Sequence, residues 1–248
     1  MLLAKQLFAI LCGVSICISS TLLYPILWIV QKFDYTREKY YSILFPFFEL
    51  FIPLSNEKRK LFAQMTDYMQ NENLCELFEI GPGTGDNFKY FNKGTRVSTL
   101  ELNPHLENHF KQESGKLKVM LTKSIIGSAE NMSMISDQSM DIIVGTLVLC
   151  CIKNPMKALS EIRRILKPGG RYYFMEEGAF SDDVNVFKKL AQKCFGTCWS
   201  ISFGGCKAYL QNVDMMLTDA GFTVQRTVYN VPETAFGFPV HHGFAIKN

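Results

Sequence analysis

The chain has 248 residues, of which 48% are hydrophobic and 20% charged, with a formal net charge of +3. The length is enough for one large globular domain and an additional segment. The small net charge and the absence of a Lys/Arg-rich run argue against a nucleic-acid partner. None of the eight cysteines forms a Cys-x-x-Cys pair, so the sequence predicts no metal site and favours a reduced, cytosol-facing domain.

The first predicted element is an apolar helix near the N-terminus. Residues 7–30 contain no charge, and as a helix they would extend about 36 Å, against a hydrocarbon core of roughly 30 Å. We therefore predict a membrane anchor over residues 1–32. The pattern leaves open whether the anchor spans the bilayer or bends at Pro25 and enters one leaflet. The flanking basic residues favour the cytosol for the following domain.

A second apolar segment, residues 33–54, is too short to span a membrane. Its stretch 40–54 carries one charge and is interrupted by prolines at positions 46 and 53. Such a segment lies either on the bilayer surface or over a protein core, and the sequence leaves both open. We assign it to the interface and assign residues 55–248 to the catalytic domain.

Helix-like and strand-like segments alternate from residue 55 onward. An amphipathic helix is predicted at 55–69 and strands at 75–80, 96–101, 118–126, 141–147 and 171–176. A helix at 154–166 begins with Asn154 as cap and stops at residues 167–170. Strands 222–230 and 242–247 follow each other without a helix. This order predicts a doubly wound, mainly parallel seven-stranded α/β sheet with an antiparallel pair at its edge.

A glycine-rich loop, in FEIGPGTGDNF at residues 78–88, follows the first strand. Such a turn lets a ligand approach the backbone, and the next helix offers unpaired N–H groups. The third glycine comes one residue too early for the dinucleotide fingerprint, and the Gly-Lys-Ser/Thr of a phosphate loop is absent. The spacing favours a nucleoside without a pyrophosphate.

Three further loops are predicted at the same edge of the sheet. Glu101 ends the second strand, where a carboxylate accepts hydrogen bonds from ribose hydroxyls. Residues 127–130 form a small-residue turn that suits a flat base, and Thr146 closes the fourth strand. Because ligands of open α/β sheets bind at the carboxyl ends of strands, the four loops are predicted to form one site.

Together these residues resemble the class I S-adenosylmethionine-dependent methyltransferases. Residues 79–85 look like their first motif, Glu101 like their ribose acid, and residues 128–130 like their adenine loop. The resemblance implies a Rossmann-like fold and S-adenosyl-L-methionine as cofactor. The cofactor-binding residues that it implies are Glu79, Gly81, Gly83, Gly85, Glu101, Leu102, Ser128, Ala129, Glu130 and Thr146.

The hydrophobic N-terminus and the stretches 146–150, 173–176 and 243–247 resemble more closely the methyltransferase-like protein 7 group, the membrane-bound thiol S-methyltransferases. This resemblance implies endoplasmic reticulum or lipid-droplet membranes and methylation of small lipophilic thiols. Pro82 stands where that group has a cysteine, and Glu101 where it has an aspartate. Proline stiffens the loop and glutamate keeps the acceptor, so both departures are compatible with cofactor binding.

Three residues are candidates for catalytic contact with the acceptor: Cys150, Glu176 and His241, with the adjacent His242 as an alternative to His241. Each has an alternative interpretation, which is buried packing for the cysteine, a solvated loop for the glutamate and a structural role for the histidine. A thiol is already a strong nucleophile near neutral pH, so the reaction does not require a strong base. The aromatic-rich insert 181–217 is predicted to cover the acceptor pocket.

Two other functions stay open at this level. The first is methylation of a lipid or a quinone, which a membrane anchor permits equally. The second is a non-catalytic membrane or lipid-droplet protein on a methyltransferase scaffold. The intact glycines and Glu101 favour an active enzyme, because an idle site needs neither.

Overall fold

The computed structural model describes residues 14–15, 18–19, 21–48, 54–71, 76–180, 184–202, 207, 212–230 and 239–248. The helices are α1 (Tyr24–Lys32), α2 (Asp34–Phe48), α3 (Ser55–Asn71), α4 (Glu107–Leu117), α5 (Pro155–Ile165), α6 (Val186–Ser202) and α7 (Val213–Asp219). The strands are β1 (Leu77–Ile80), β2 (Arg96–Glu101), β3 (Met120–Ile126), β4 (Met140–Thr146), β5 (Leu166–Glu177), β6 (Phe222–Asn230) and β7 (Pro239–Lys247). Short 3-10 turns lie at Asp86–Tyr90, Pro104–Leu106 and Leu149–Cys151.

The seven strands of the described residues form one sheet in the order β3-β2-β1-β4-β5-β7-β6. β1 pairs in parallel with β2 and β4, whereas β7 runs antiparallel to both β5 and β6. This confirms the predicted doubly wound sheet with an antiparallel pair at its edge. The strand order reverses between β1 and β4, which is where open α/β sheets bind their ligands.

Amphipathic helices cover both faces of the sheet. On one face, α3 buries Leu61 and Met65 against the strands, as its helical periodicity predicts. On the other face, α5 buries Leu159 and Ile162. In each helix the apolar residues fall three or four positions apart, so they form one stripe that faces the sheet.

The connection from α5 to β5 differs in part from its prediction. Asn154 caps α5 as expected, since its side chain accepts a backbone N–H of the first turn at 3.1 Å. β5 begins at Leu166 rather than Arg171, because Leu166 already pairs with Met140. The next paired residues are Ile142 and Arg171, so the predicted helix stop at 167–170 is a bulge inside the strand.

Other element boundaries also moved. β3 begins at Met120 rather than 118, because Lys118 ends α4 in a left-handed conformation with φ of 58°. β7 begins at Pro239 rather than 242, because pairing with β5 and β6 extends it. β1 is described from Leu77, and residues 72–75 lie outside the described residues. The sequence missed α4, whose single buried aromatic, Phe110, provides a weak periodic signal.

The N-terminal predictions fall partly outside the described residues, which omit 1–13, 16–17, 20 and 49–53. In the part that is described, no helix is both long and apolar enough to cross a membrane. α1 covers the end of the predicted anchor, and α2 covers most of the segment assigned to the interface. The prediction of an anchor over residues 1–32 therefore stays a prediction.

α2 packs beside the end of β2. The side chain of Asn103 donates a hydrogen bond to the carbonyl oxygen of Glu38 at 2.8 Å. The ring of Tyr35 meets His105 edge-on, with 5.2 Å between centroids. The helix that follows the predicted anchor thus contacts the loop that carries Glu101.

Arg164 of α5 holds the loop that precedes β4. Its guanidinium donates to the carbonyl oxygens of Met132 at 2.8 Å and Ile135 at 2.9 Å, and it pairs with Glu161 at 2.8 Å. We expect Arg164→Ala to lower the free energy of unfolding by about 2–3 kcal/mol, because hydrogen bonds to charged groups contribute roughly 1.5–3 kcal/mol and partial exposure weakens them. Chemical denaturation measures this loss. Arg163 provides a control, because it is exposed and donates a long hydrogen bond to the carbonyl oxygen of Gly221 at 3.3 Å, so Arg163→Ala should cost no more than about 1 kcal/mol. Equal losses would contradict the assignment.

Candidate cofactor-binding site

The loop after β1 is a tight cradle of backbone. Gly81, Gly83 and Gly85 have positive φ angles of 65°, 59° and 88°, a region that residues with a Cβ rarely adopt. A Cβ added at Gly81 would lie 2.6 Å from Cγ2 of Val148. One added at Gly85 would lie 3.2 Å from Cα of Phe110. Glycine is therefore required by backbone conformation and by space.

Glu101 lies beside this cradle at the end of β2. One carboxylate oxygen accepts the N–H of Gly83 at 3.1 Å, and the other accepts the N–H of Asn103 at 2.9 Å. Burial raises the pKa of the Glu101 carboxyl, while these backbone hydrogen bonds act to lower it. The carboxylate thus joins the glycine loop to the end of β2, at the position predicted for the ribose acceptor.

Glu79 of β1 is a buried acid, and only one of its two carboxylate oxygens accepts a hydrogen bond within the described part of the chain. Its Oε1 accepts a hydrogen bond from Nδ2 of Asn87 at 2.7 Å, while Oε2 has no hydrogen-bond partner in the described part of the chain. Nδ2 of Asn87 also donates to Oγ1 of Thr146 at 2.9 Å. A buried carboxylate oxygen without a partner is costly, and a cationic ligand group would satisfy it.

The sequence identified Glu79 and Thr146 but missed the residue that joins them. Asn87 lies in the first turn after the glycine loop. An amide directly after such a loop is the only local signal, and it is weak.

α3 places a cation next to the same loop. Nζ of Lys58 lies 2.6 Å from Oδ2 of Asp86, and both side chains are largely buried. This ion pair fastens α3 to the turn that follows the glycines. Burial raises the pKa of Glu79 to about 7, although the Asn87 hydrogen bond and the Lys58 charge act in the opposite direction.

The loop after β3 forms the third wall of the site. A backbone N–H of this loop donates to the carbonyl oxygen of Glu101 at 2.8 Å, which holds the two loops together. Within it, the N–H of Glu130 donates to Oγ of Ser128 at 3.2 Å. Ala129 is buried, whereas Leu102 at the end of β2 is 60% exposed. The ends of β2 and β3 thus carry apolar and small side chains, as the sequence predicted for the site of the flat base.

The loop after β4 is held by Glu176. Leu147, predicted as the last strand residue, instead adopts a left-handed φ of 54°. Oε1 of Glu176 accepts the N–H of Val148 at 3.0 Å and of Leu149 at 2.9 Å, while Oε2 has no hydrogen-bond partner in the described part of the chain. Burial raises the pKa of Glu176 to about 7. These contacts make Glu176 a positioning residue for the strained turn.

Cys150 lies in the same loop with its thiol packed inward. Its Sγ donates to the carbonyl oxygen of Leu147 at 3.3 Å. Burial, followed by the nearby charge of Glu176, raises the pKa of the Cys150 thiol well above its ordinary value. The thiol therefore stays protonated at neutral pH, in agreement with the packing alternative.

Cys151, the next residue, is disulfide-bonded. This corrects the prediction that the cysteines are all reduced. Spacing along the chain shows only local pairs, whereas a disulfide joins residues that are close in space.

The third catalytic candidate, His241, lies on β7 opposite Glu176. Its imidazole packs over Gly178, where an added Cβ would lie 2.3 Å from Nε2. The fold therefore brings His241 and Glu176 to neighbouring strands, beside the loop that carries Cys150.

A histidine–carboxylate pair lies next to His241, between β7 and α3. Nε2 of His242 is 3.3 Å from Oε2 of Glu57, and both side chains are buried. His242 pairs with Met175 on β5, and Met175 pairs with Thr146 on β4, so the histidine is two strands from the end of β4. Burial lowers the pKa of His242, while the charge of Glu57 acts to raise it. The sequence marked this histidine as an alternative to His241 but missed Glu57.

The raised pKa of Glu79 predicts a pH dependence of ligand binding. The carboxyl is protonated below about 7, and in that form it does not pair with a cationic amine. We expect the affinity for S-adenosyl-L-methionine to fall about tenfold per pH unit below about pH 7 and to level off above it, because one proton leaves on binding. Calorimetric titration across this range measures the slope.

Glu79→Gln tests the source of this pH dependence. The variant should bind more weakly and lose the slope, because glutamine does not titrate. Glu176→Gln should keep the slope, since Glu176 contacts the loop after β4 and not the glycine loop. An unchanged slope in Glu79→Gln would assign the titration to another buried carboxyl near Glu79, namely Glu101.

Comparison with known families finds a methyltransferase domain over residues 78–174. These residues run from β1 through most of β5 and include all four loops described above. Among curated proteins, the human thiol S-methyltransferase TMT1A is 34% identical over 154 residues, which are 62% of this chain and 62% of that protein. The match thus covers less than two thirds of that relative's length.

Solved structures share the fold at low sequence identity. A SAM-dependent methyltransferase from Thermotoga maritima superposes with a TM-score of 0.57 at 19% identity, covering 85% of this chain and 99% of its own. The [4+2]-cyclase SpnF superposes with a TM-score of 0.51 at 14% identity, covering 69% of this chain and 73% of its own. The same fold therefore carries more than one kind of reaction.

The residues at the site fit S-adenosyl-L-methionine. The unpartnered oxygen of Glu79 matches a cationic amino group, the carboxylate of Glu101 matches a ribose diol, and the cradle around Gly81 admits a ligand where a side chain would not fit. Residues 78–174 match the methyltransferase domain model, on a Rossmann-like class I fold whose site fits S-adenosyl-L-methionine as cofactor.

Proposed function

We propose that the protein is a membrane-anchored, S-adenosyl-L-methionine-dependent thiol S-methyltransferase that acts on small lipophilic thiols. The observation that carries the catalytic part is the buried, half-satisfied carboxylate of Glu79 beside the glycine cradle. An idle scaffold would gain nothing from keeping such a costly group. The curated relative named as a thiol S-methyltransferase supports a thiol as the acceptor.

Positioning is the main contribution of the chain to this reaction. When bound, the cofactor would supply an electrophilic methyl group: the S–C bond to the thiol sulfur would form as the sulfonium S–CH3 bond breaks, giving a thioether, the neutral sulfide form of the cofactor and the released thiol proton. Glu101 and Glu79 would hold the two polar ends of the cofactor, and the loop that Glu176 supports would close over its centre. Holding two reactants in line is worth up to about 7–11 kcal/mol of the barrier.

We assign the released proton to the imidazole of His242. Burial favours the neutral imidazole, which is the form that accepts a proton. Glu57, 3.3 Å away, then stabilises the cation that forms. The buried Cys150 thiol contacts Leu147 and takes no part.

Membrane attachment is supported by the uncharged run of residues 7–30 and by α1. Ile26 is 60% exposed and Trp28 is 53% exposed on this helix. Nζ of Lys32 lies 5.1 Å from the centroid of the Trp28 ring, an arrangement that suits the boundary between lipid and water. We place the protein on the endoplasmic reticulum membrane or lipid droplets, with membrane lipid as a partner. The basic residues that flank the anchor, and not the state of the cysteines, favour the cytosol for the catalytic domain.

A transfer assay in detergent tests the enzymatic proposal. Purified protein receives cofactor with a labelled methyl group and a panel of alkyl thiols, amines, phenols and a quinone. We expect the label to appear on the lipophilic thiols. Preferential transfer to an amine, phenol or quinone would overturn the choice of acceptor. Tight cofactor binding without any transfer would favour the non-catalytic alternative.

His242→Gln tests the assignment of the proton. We expect kcat to fall most near neutral pH and to recover toward high pH, where the acceptor is already a thiolate. Cofactor affinity should stay unchanged, which separates this effect from a folding defect. A uniform loss at every pH would contradict the role of His242 as proton acceptor.

A further inference from the structure

α6 carries apolar side chains on two faces, and its inner face packs against the rest of the domain. Phe195 and Trp199 are buried, with 5.4 Å between their ring centroids. Between them and the sheet, the buried side chain of Gln192 donates to the carbonyl oxygen of Gly178 at 3.0 Å and accepts the N–H of Phe180 at 3.2 Å. The inner face thus fastens α6 to the chain that leaves β5.

The outer face of α6 is apolar and exposed. Val186, Phe187 and Leu190 are 69%, 76% and 57% exposed. Cys194, also exposed and carrying a free thiol, continues the row one turn further. Residues 187, 190 and 194 fall on one side of a helix, so these side chains form a single stripe, the outer stripe. Single exposed apolar residues are common, but a contiguous row marks an interaction surface.

The charges around the outer stripe are basic. α6 contains no Asp or Glu, and Lys193, three positions after Leu190, is exposed beside the row. Lysines at the border of an apolar stripe extend their stems along it and leave the ammonium group in the head-group region. This pattern fits an anionic lipid surface, where each lysine contributes about 1 kcal/mol.

We propose that the outer stripe of α6 rests on an anionic bilayer, next to α1, and so forms a second membrane contact of the catalytic domain. α1 contacts α6 and is itself exposed at Ile26 and Trp28, so two neighbouring helices both present exposed apolar side chains. The Gln192 contacts would then hold the end of β5 over the lipid. An acceptor dissolved in the bilayer would reach the site without crossing water. The inference rests on the proposed membrane attachment.

A single tryptophan on the stripe tests this contact in the full chain. The protein has two tryptophans, and replacing both with phenylalanine removes the native tryptophan fluorescence. Phe187→Trp then reports on the outer stripe, and Lys116→Trp, on the exposed face of α4, is the matched control. Both proteins are reconstituted into vesicles of phosphatidylcholine and phosphatidylserine that contain brominated lipid. Retained cofactor binding confirms that each variant is folded.

We expect bromine to quench Phe187→Trp strongly and Lys116→Trp little. Lys193→Gln, which removes one positive charge, should lower the ratio of docked to undocked α6 about fivefold. Protein that floats with the vesicles while Phe187→Trp stays unquenched would overturn the α6 contact and leave the anchor intact. A blue shift without quenching would indicate a stripe covered by a second copy of the chain, and would also overturn it. Protein that does not float with the vesicles would overturn both the α6 contact and the membrane anchor.

Discussion

Glu101→Ala is expected to weaken cofactor binding at least about 100-fold, because two hydrogen bonds to a charged carboxylate contribute roughly 1.5–3 kcal/mol each. The substitution also removes the acceptor for the N–H groups of Gly83 and Asn103, so the glycine loop loses its tie to β2. Equilibrium dialysis with labelled S-adenosyl-L-methionine measures the affinity, and no ligand other than the cofactor is required.

Glu101→Asp is the matched control for this loss. It keeps the charge and shortens the side chain by one methylene, so we expect most of the affinity to be retained. Circular dichroism and thermal unfolding report whether the alanine variant is folded. Folded Glu101→Ala protein that binds the cofactor as the parent does would remove Glu101 from the site.

A second large effect is expected at the first glycine of the loop. In Gly81→Ala, the new Cβ would lie 2.6 Å from Val148 at a φ of 65°. Either the loop after β1 or the strained loop after β4 must move, and both border the cofactor. We expect the cofactor affinity to fall at least about tenfold, since displacement by about 1 Å of groups that position a ligand is costly.

Gly94→Ala is the control that distinguishes the effect of the Val148 contact from the effect of a left-handed backbone. Gly94 has a comparable φ of 82°, but a Cβ there would meet no atom within 4 Å. The control should lose about 1–2 kcal/mol of unfolding free energy from the left-handed conformation and keep its cofactor affinity. Dialysis and denaturation of the two variants side by side provide the comparison. Equal affinity in both would show that the Val148 contact does not shape the site.

The fold class was predictable because its signals are local. Alternating apolar segments with caps and turns indicated each strand of the sheet and α5, and the order of the segments indicated their pairing. Boundaries were less predictable where pairing decided them, as at Leu166, which joins the ladder before a bulge, and at Lys118, which ends a helix rather than starting a strand. Such residues have no distinctive neighbours along the chain.

The sequence by itself determined the glycine loop, Glu101 and the order of the strands, since each depends on residues within a few positions or on a regular succession of elements. Only the tertiary structure decided which groups meet across elements: Lys58 with Asp86, Asn87 with Glu79 and Thr146, and Glu57 with His242. These partners are separated by between 8 and 185 positions in the chain. Packing of α3 against β7 makes the longest of these contacts, between Glu57 and His242, and burial then shifts the pKa values of Glu79 and His242.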